Sequence, residues 1–202
     1  MKDFGFYLVI TNPVVGYAHC AEAAVRAGVK IVQLRMKHAA REDILREARE
    51  MRHVTCGTET LFIVNDDPAL AAEAEADGVH VGQDDMSPAE VRAKFPQLKV
   101  VGLSTHNLDQ VRASWDQPID YIGVGPVYAT PTKDIPDPTL GPELAGRMIA
   151  AARVPAVAIG GINAETLPPV LAAGARNFAV VRAVCQSPDP YSAIRKLVEI
   201  HA

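Results

Sequence analysis

Leu61-Phe62-Ile63-Val64-Asn65-Asp66 carries four apolar residues straight into an amide and a carboxylate. A short run of this kind suits a strand covered on both faces, as parallel strands are. The same layout recurs along the chain. Ile31-Val32 runs into Gln33-Leu34-Arg35-Met36-Lys37, and Val79-His80-Val81 into Gly82-Gln83-Asp84-Asp85. Val100-Val101-Gly102-Leu103 stops at Ser104-Thr105-His106, and Tyr121-Ile122-Gly123-Val124-Gly125 opens onto Thr130-Pro131-Thr132-Lys133. Ala156-Val157-Ala158-Ile159 ends at Gly160-Gly161. In a (β/α)8 barrel the loops after the strands converge on one face, and polar residues at strand exits build the site there. So many polar exits point to an enzyme.

Between these runs lie helical patterns. Ile44, Leu45, Ala48 and Met51 fall at helical spacing, with Glu42, Arg46, Arg49 and Glu50 left for solvent. Ser87-Pro88-Ala89-Glu90 reads as a capping box with proline at the first helical position. Asn107 to Gln110 repeats that logic, Asp189-Pro190 opens the last helix, and the seventh helix starts near Thr166. Gly28, Gly78 and Gly174 read as helix ends leading directly into strands, a weak internal repeat. Strands are expected at 6–10, 30–34, 61–64, 78–81, 100–103, 121–124, 156–159 and 177–181. Eight strands alternating with about eight helices favour a single closed (β/α)8 TIM barrel over residues 1–202. A doubly wound open sheet is the alternative, but its ligands gather at one switch point rather than at many strand exits.

The chain has 202 residues, short for this barrel yet enough for one core. Its formal net charge of −4 argues against a nucleic-acid partner recruited by overall charge. Cys20, Cys56 and Cys185 are far apart and show no metal or redox spacing, as expected for reduced thiols in a cytoplasmic protein. No apolar run approaches a membrane span, and the start lacks a signal peptide's layout. A homo-oligomer is compatible with the sequence, which does not specify one.

The exits carry the chemistry. Asp66 and Asp85 follow consecutive strands, so their carboxylates fall on the same rim. Two like charges held that close are reconciled by a cation, and Mg²⁺ takes a pair of carboxylates plus phosphate oxygens and water. Either residue alone reads equally well as a helix N-cap, the role expected of Asp67 and Asp84. Gln33, Arg35 and Lys37 alternate and so project together, inward at the barrel mouth, where the two cations call for an anion such as pyrophosphate. Asn65 and Ser104 can orient a heteroaromatic ring without adding charge. Thr130-Pro131-Thr132-Lys133 sits in the longest loop, from Pro126 to about Gly141, with a lid's composition and two hydroxyls and an ammonium for a phosphate. Gly160-Gly161 after strand seven and Val181-Arg182 after strand eight match the recurring phosphate site of these barrels. His80 reads as a packed or hydrogen-bonded strand residue, His106 as a neighbour of the site, and Trp115 as a surface and packing residue.

With these motifs in place, the chain resembles the thiamine-phosphate synthase family from the first strand to the final helix. The resemblance rests on Gln33-x-Arg35-x-Lys37, Asn65-Asp66, Gly82-Gln83-Asp84-Asp85, Ser104-Thr105-His106, Thr130-Pro131-Thr132-Lys133 and Ile159-Gly160-Gly161-Ile162. It implies a (β/α)8 transferase of thiamine biosynthesis that joins hydroxymethylpyrimidine diphosphate to thiazole phosphate, giving thiamine phosphate and pyrophosphate. By the same resemblance Gln33, Arg35, Lys37, Asn65, Ser104 and Lys133 bind the pyrimidine diphosphate, and Asp66 and Asp85 hold Mg²⁺. Thr130, Thr132, Gly161, Val181 and Arg182 fall to the thiazole phosphate. Arg35, Lys37 and Lys133 then stabilise charge on departing pyrophosphate. The family often has serine where this chain has Arg182, and an acidic residue near Thr11-Asn12-Pro13.

Three other functions fit parts of the pattern. A thiazole tautomerase on the same barrel would use His106 for proton transfer but needs neither the pyrophosphate-binding cations nor the full lid. A non-catalytic sensor of thiamine precursors needs no metal pair. A Schiff-base lyase would employ Lys37 or Lys133, whose anion-binding neighbours raise a lysine's pKa rather than lowering it.

Overall fold

The computed structural model describes residues 3–131 and 138–201. Eight strands close in sequence order into a barrel: β1 (Phe6–Ile10), β2 (Ile31–Leu34), β3 (Leu61–Asn65), β4 (Gly78–Val81), β5 (Val100–Thr105), β6 (Tyr121–Val124), β7 (Ala156–Ile159) and β8 (Asn177–Val180). Every neighbouring pair is parallel, including β8 with β1, so no sheet edge is left open. The intervening helices are α1 (Tyr17–Arg26), α2 (Arg41–Thr55), α3 (Pro68–Glu73), α4 (Pro88–Lys94), α5 (Leu108–Ala113), α6 (Gly141–Ala151) and α7 (Leu167–Ala172). Two more, α8 (Arg182–Cys185) and α9 (Pro190–His201), follow β8. Among the described residues no helix is long and apolar enough to cross a membrane.

Alternation along the strands divides the core in two. Phe6, Leu8, Ile10, Val32, Leu34, Phe62 and Val64 face outward and pack under the helices. Tyr7, Val9, Ile31, Ile63, Val100, Tyr121, Val157 and Ala179 fill the barrel itself. Phe62 and Phe178 are completely buried, and each such side chain contributes about 1.5–3 kcal/mol relative to exposure. On α2, Leu45, Ala48 and Met51 are buried while Glu42, Arg46, Arg49 and Glu50 are exposed, as the helical spacing requires.

The end of the barrel opposite the strand exits is pinned by carboxylates and an amide set just before or at strand starts. Asp77 accepts the Phe62 N–H and Asp120 the Val101 N–H, each reaching back to the preceding strand. Arg52 and Arg92 complete these two corners. Asn177 accepts the N–H groups of Phe4 and Gly5 and donates to the Ala156 carbonyl, fastening the incoming chain where β8 meets β1.

Several local expectations are corrected. Asp84 does not cap α4; Ser87 does, with Glu90 completing the capping box. Gly78 is not a helix end but the first residue of β4, where a Cβ would lie 2.0 Å from the Val100 carbonyl oxygen. Three helices do share one ending. After α1 and α7 the left-handed position is filled by Gly28 and Gly174, and after α3 by Glu75 at φ 53°. The N–H of the following residue then bonds five positions back in each, Val29 to Ala24, Ala175 to Val170 and Ala76 to Ala71. β2 begins at Ile31 rather than Lys30, β3 and β5 run on to Asn65 and Thr105, and β8 stops at Val180. Val181 instead caps a helical turn, α8, that the sequence pattern did not reveal.

Candidate active site

The strand exits surround a cavity of about 480 Å³ at one mouth of the barrel. Gln33, Arg35, Asn65, Ser104, Thr130, Gly161, Val181 and Arg182, all expected at the site, line it. Period two places Gln33 deepest, 4% exposed, and Arg35 nearer the mouth. Lys37, third in that alternation, lies outside the cavity wall and pairs with the carboxylate of Asp66. Thr132 and Lys133, and with them most of the expected lid, lie outside the described residues.

Asp66 and Asp85 meet at the rim. Asp66 adopts φ 65°, a left-handed conformation that costs an L-residue about 1–2 kcal/mol. Its N–H is anchored 2.8 Å from the His80 carbonyl of the next strand. Asp85 is tied down by the Gly82 N–H at 2.7 Å. Burial first, and then the adjacent Asp66 carboxylate within hydrogen-bonding reach, pushes the Asp85 carboxyl above its ordinary range, with Lys37 and the Gly82 N–H opposing. A carboxyl set against a second carboxylate, beside a displaceable ammonium, fits a hard divalent cation such as Mg²⁺, which needs few protein ligands when phosphate oxygens complete its shell. Among the described residues no larger cluster of acidic, histidine or cysteine ligands exists.

Across the cavity the chain leaves β7 through two glycines. Gly160 and Gly161 have φ of 105° and 65°, and a Cβ on Gly161 would come within 2.7 Å of Tyr128 Cβ. The following turn is held by Asn163, whose side-chain oxygen accepts the N–H groups of Glu165 and Thr166, while the Thr166 hydroxyl donates to the Gly161 carbonyl. Val181, Arg182 and Ala183, the first turn of α8, complete this wall. Two loop backbones and a helix start facing one space, with no Cβ at the closest approach, suit an anion.

A family model described as thiamine monophosphate synthase (TMP-TENI) matches residues 6–184. The chain belongs to that family. The thiamine-phosphate synthase of Synechococcus sp. strain WH7803 is 45% identical over 179 residues, covering 89% of this chain and 50% of that protein. The one from Methanospirillum hungatei is 36% identical over 201 residues, covering 98% of each. A structure solved as thiamine phosphate pyrophosphorylase from Pyrococcus furiosus superposes with a TM-score of 0.89 at 27% identity, covering 98% of this chain and 96% of that one. The chain spans about half the length of the cyanobacterial relatives it matches.

The family motifs account for the rim and the glycine wall, but not for the floor. Tyr7 and Tyr121 rise from inside the barrel, their hydroxyls 2.9 Å apart. His80 is a hydrogen-bonded strand residue, as expected, yet it also lines the cavity. His106 reaches the wall with Nδ1 2.6 Å from the Gly125 carbonyl oxygen, to which it donates. Asn163 and Gln186 also face the cavity. Tyr7 could have been found from its alternation with Val9, inward like Gln33 on the next strand. Gln186, beyond an unrecognised helical turn, carried no such signal. Trp115 is remote, stacked under the Arg153 guanidinium at 4.0 Å.

Proposed function

We propose that this cavity joins 4-amino-2-methyl-5-hydroxymethylpyrimidine diphosphate to 4-methyl-5-(2-phosphoethyl)thiazole, giving thiamine phosphate and pyrophosphate. The observation carrying the reading is the opposition, across one barrel mouth, of the Asp66–Asp85–Lys37 cluster and the Gly161 and Val181–Arg182 wall. One side suits a metal diphosphate and the other a second phosphate, with a partly aromatic floor between them. Family membership supports the same chemistry.

In this reading Gln33, Asn65 and Ser104 hold the aminopyrimidine, Arg35 and Lys37 meet its diphosphate, and Asp66 and Asp85 hold Mg²⁺. Thr130, Thr132, Gly161, Val181 and Arg182 receive the thiazole phosphate, and Lys133 joins Arg35 and Lys37 at the pyrimidine diphosphate. When bound, Mg²⁺ supplies positive charge to the diphosphate oxygens. Arg35 and Lys37 add fixed charge where the leaving group gains it. The bond from the methylene carbon to the diphosphate oxygen breaks with its electron pair going to pyrophosphate. The electron-rich aminopyrimidine bears the resulting positive charge, and the thiazole nitrogen lone pair forms the new C–N bond. No protein nucleophile is needed, so Lys37 can remain a charged ammonium throughout. The free cysteines, two of them buried, fit a cytoplasmic enzyme.

The deciding experiment mixes both phosphorylated precursors with protein and Mg²⁺ and assays thiamine phosphate. Absence of product overturns the proposal. Thiazole phosphate alone should remain unchanged, whereas its isomerisation would favour a tautomerase using His106.

A further inference from the structure

A continuous chain of hydrogen bonds crosses the cavity floor from Gln33 to Ser104. Gln33 Nε2 donates to the Tyr7 hydroxyl at 2.7 Å, the Tyr7 and Tyr121 hydroxyls are 2.9 Å apart, and Tyr121 reaches His80 Nδ1 at 2.9 Å. His80 Nε2 lies 2.9 Å from Ser104 Oγ. Four strands separated by much of the sequence contribute to this line besides β2, and Gly102 gives it room. A Cβ on Gly102 would sit 2.2 Å from the Tyr121 ring and 2.5 Å from His80 Nδ1.

The first donor sets the direction of every later proton. Tyr7 accepts from Gln33, and its buried hydroxyl must spend its own proton on Tyr121. Tyr121 then has one acceptor left for its proton, His80 Nδ1. An imidazole accepting at Nδ1 carries its hydrogen on Nε2 and donates to Ser104 Oγ. The Ser104 proton is left for the cavity that this residue lines. At the other end Gln33 faces the same cavity with its amide oxygen, to which no described donor is bonded. Burial holds both phenols protonated, pushing each well above its ordinary range.

We propose that Tyr7, Tyr121 and His80 are positioning residues that give the site a fixed polarity, an acceptor at Gln33 and a donor at Ser104, and so select an amino-substituted ring over its oxo analogue. The inference rests on the proposed reading of the cavity as the pyrimidine site. An aminopyrimidine edge offers an N–H at the exocyclic group and a lone pair at the ring nitrogen, matching both ends. The oxo analogue offers the reverse at both, and a polar site rejects a ligand that leaves its buried groups mispaired.

Two measurements test this. Nitrogen-15 NMR of the His80 ring should show hydrogen on Nε2 and a lone pair on Nδ1, and the opposite tautomer overturns the proton order whatever the substrate proves to be. In the second, kcat/KM is compared for the 4-amino and 4-oxo pyrimidine diphosphates in unaltered protein and in Tyr121→Phe. The preference for the amino compound should narrow about tenfold or more when the relay is cut. Equal losses on both compounds would mean that Tyr121 acts by packing alone and would sink the proposal. If Tyr121→Phe fails to fold, Tyr7→Phe cuts the neighbouring link and carries the same expectation. A cut in series should not deepen when doubled, so a folded Tyr7→Phe/Tyr121→Phe protein should discriminate as each single variant does. If the unaltered protein turns over neither compound, the functional reading fails, and the tautomer measurement still decides the relay.

Discussion

The ammonium of Lys37 is paired with the carboxylate of Asp66 on the neighbouring strand exit, so the groups proposed above for the diphosphate and for the metal neutralise each other across the barrel rim. Arrival of a metal diphosphate would give each a new partner of opposite charge. Asp66→Ala and Asp85→Ala should therefore each abolish Mg²⁺-dependent formation of thiamine phosphate while leaving the far-ultraviolet circular dichroism unchanged. Full activity in both variants would remove the metal assignment.

Gly161 sits at φ 65° with Tyr128 Cβ and the Ala129 carbonyl inside the space a Cβ needs. Gly161→Ala is expected to cost about 1–3 kcal/mol of stability. It should also raise KM for thiazole phosphate more than for the pyrimidine diphosphate. Equal effects on the two KM values would separate Gly161 from the phosphate wall.

Glu75 occupies the left-handed position that glycine fills after α1 and α7. Removing a side chain there relieves about 1–2 kcal/mol of strain and adds about 0.5–1 kcal/mol of unfolded-chain entropy. Glu75→Gly should thus raise the urea midpoint, by roughly 0.5 kcal/mol in free energy. A lower midpoint would show that the Glu75 side chain contributes more than its backbone costs.

Ser87 caps α4 by accepting the Glu90 N–H, and its own N–H donates in return to the Glu90 carboxylate. Ser87→Ala should lose about 0.5–2 kcal/mol in denaturant unfolding, with kcat unchanged because the cap lies off the cavity. A change in kcat without a change in stability would contradict a purely structural role.

Much of this molecule was legible from local pattern. The caps at Ser87 and Asn107 act over three or four residues, so their chemistry is contained in the words that spell them. The rim residues could be named because each lies within a few positions after an apolar run. Asp84 was misread because a carboxylate after a strand looks the same whether or not the next helix already has its cap. Glu75 was missed because nothing in its side chain advertises a left-handed backbone. The turn Arg182–Cys185 is too short to show a helical period.

The sequence by itself determined the alternation of strands and helices, the inward parity of Gln33 and Arg35, and the polar character of the exits, since each depends on spacing within one element. Closure of the barrel decided which inward residues face each other. Tyr7 and Tyr121 stand 114 positions apart and touch because β1 and β6 lie across the same interior, with Gly102 leaving the gap. Period two says only that a side chain points in; the register and curvature of the whole sheet determine what it meets.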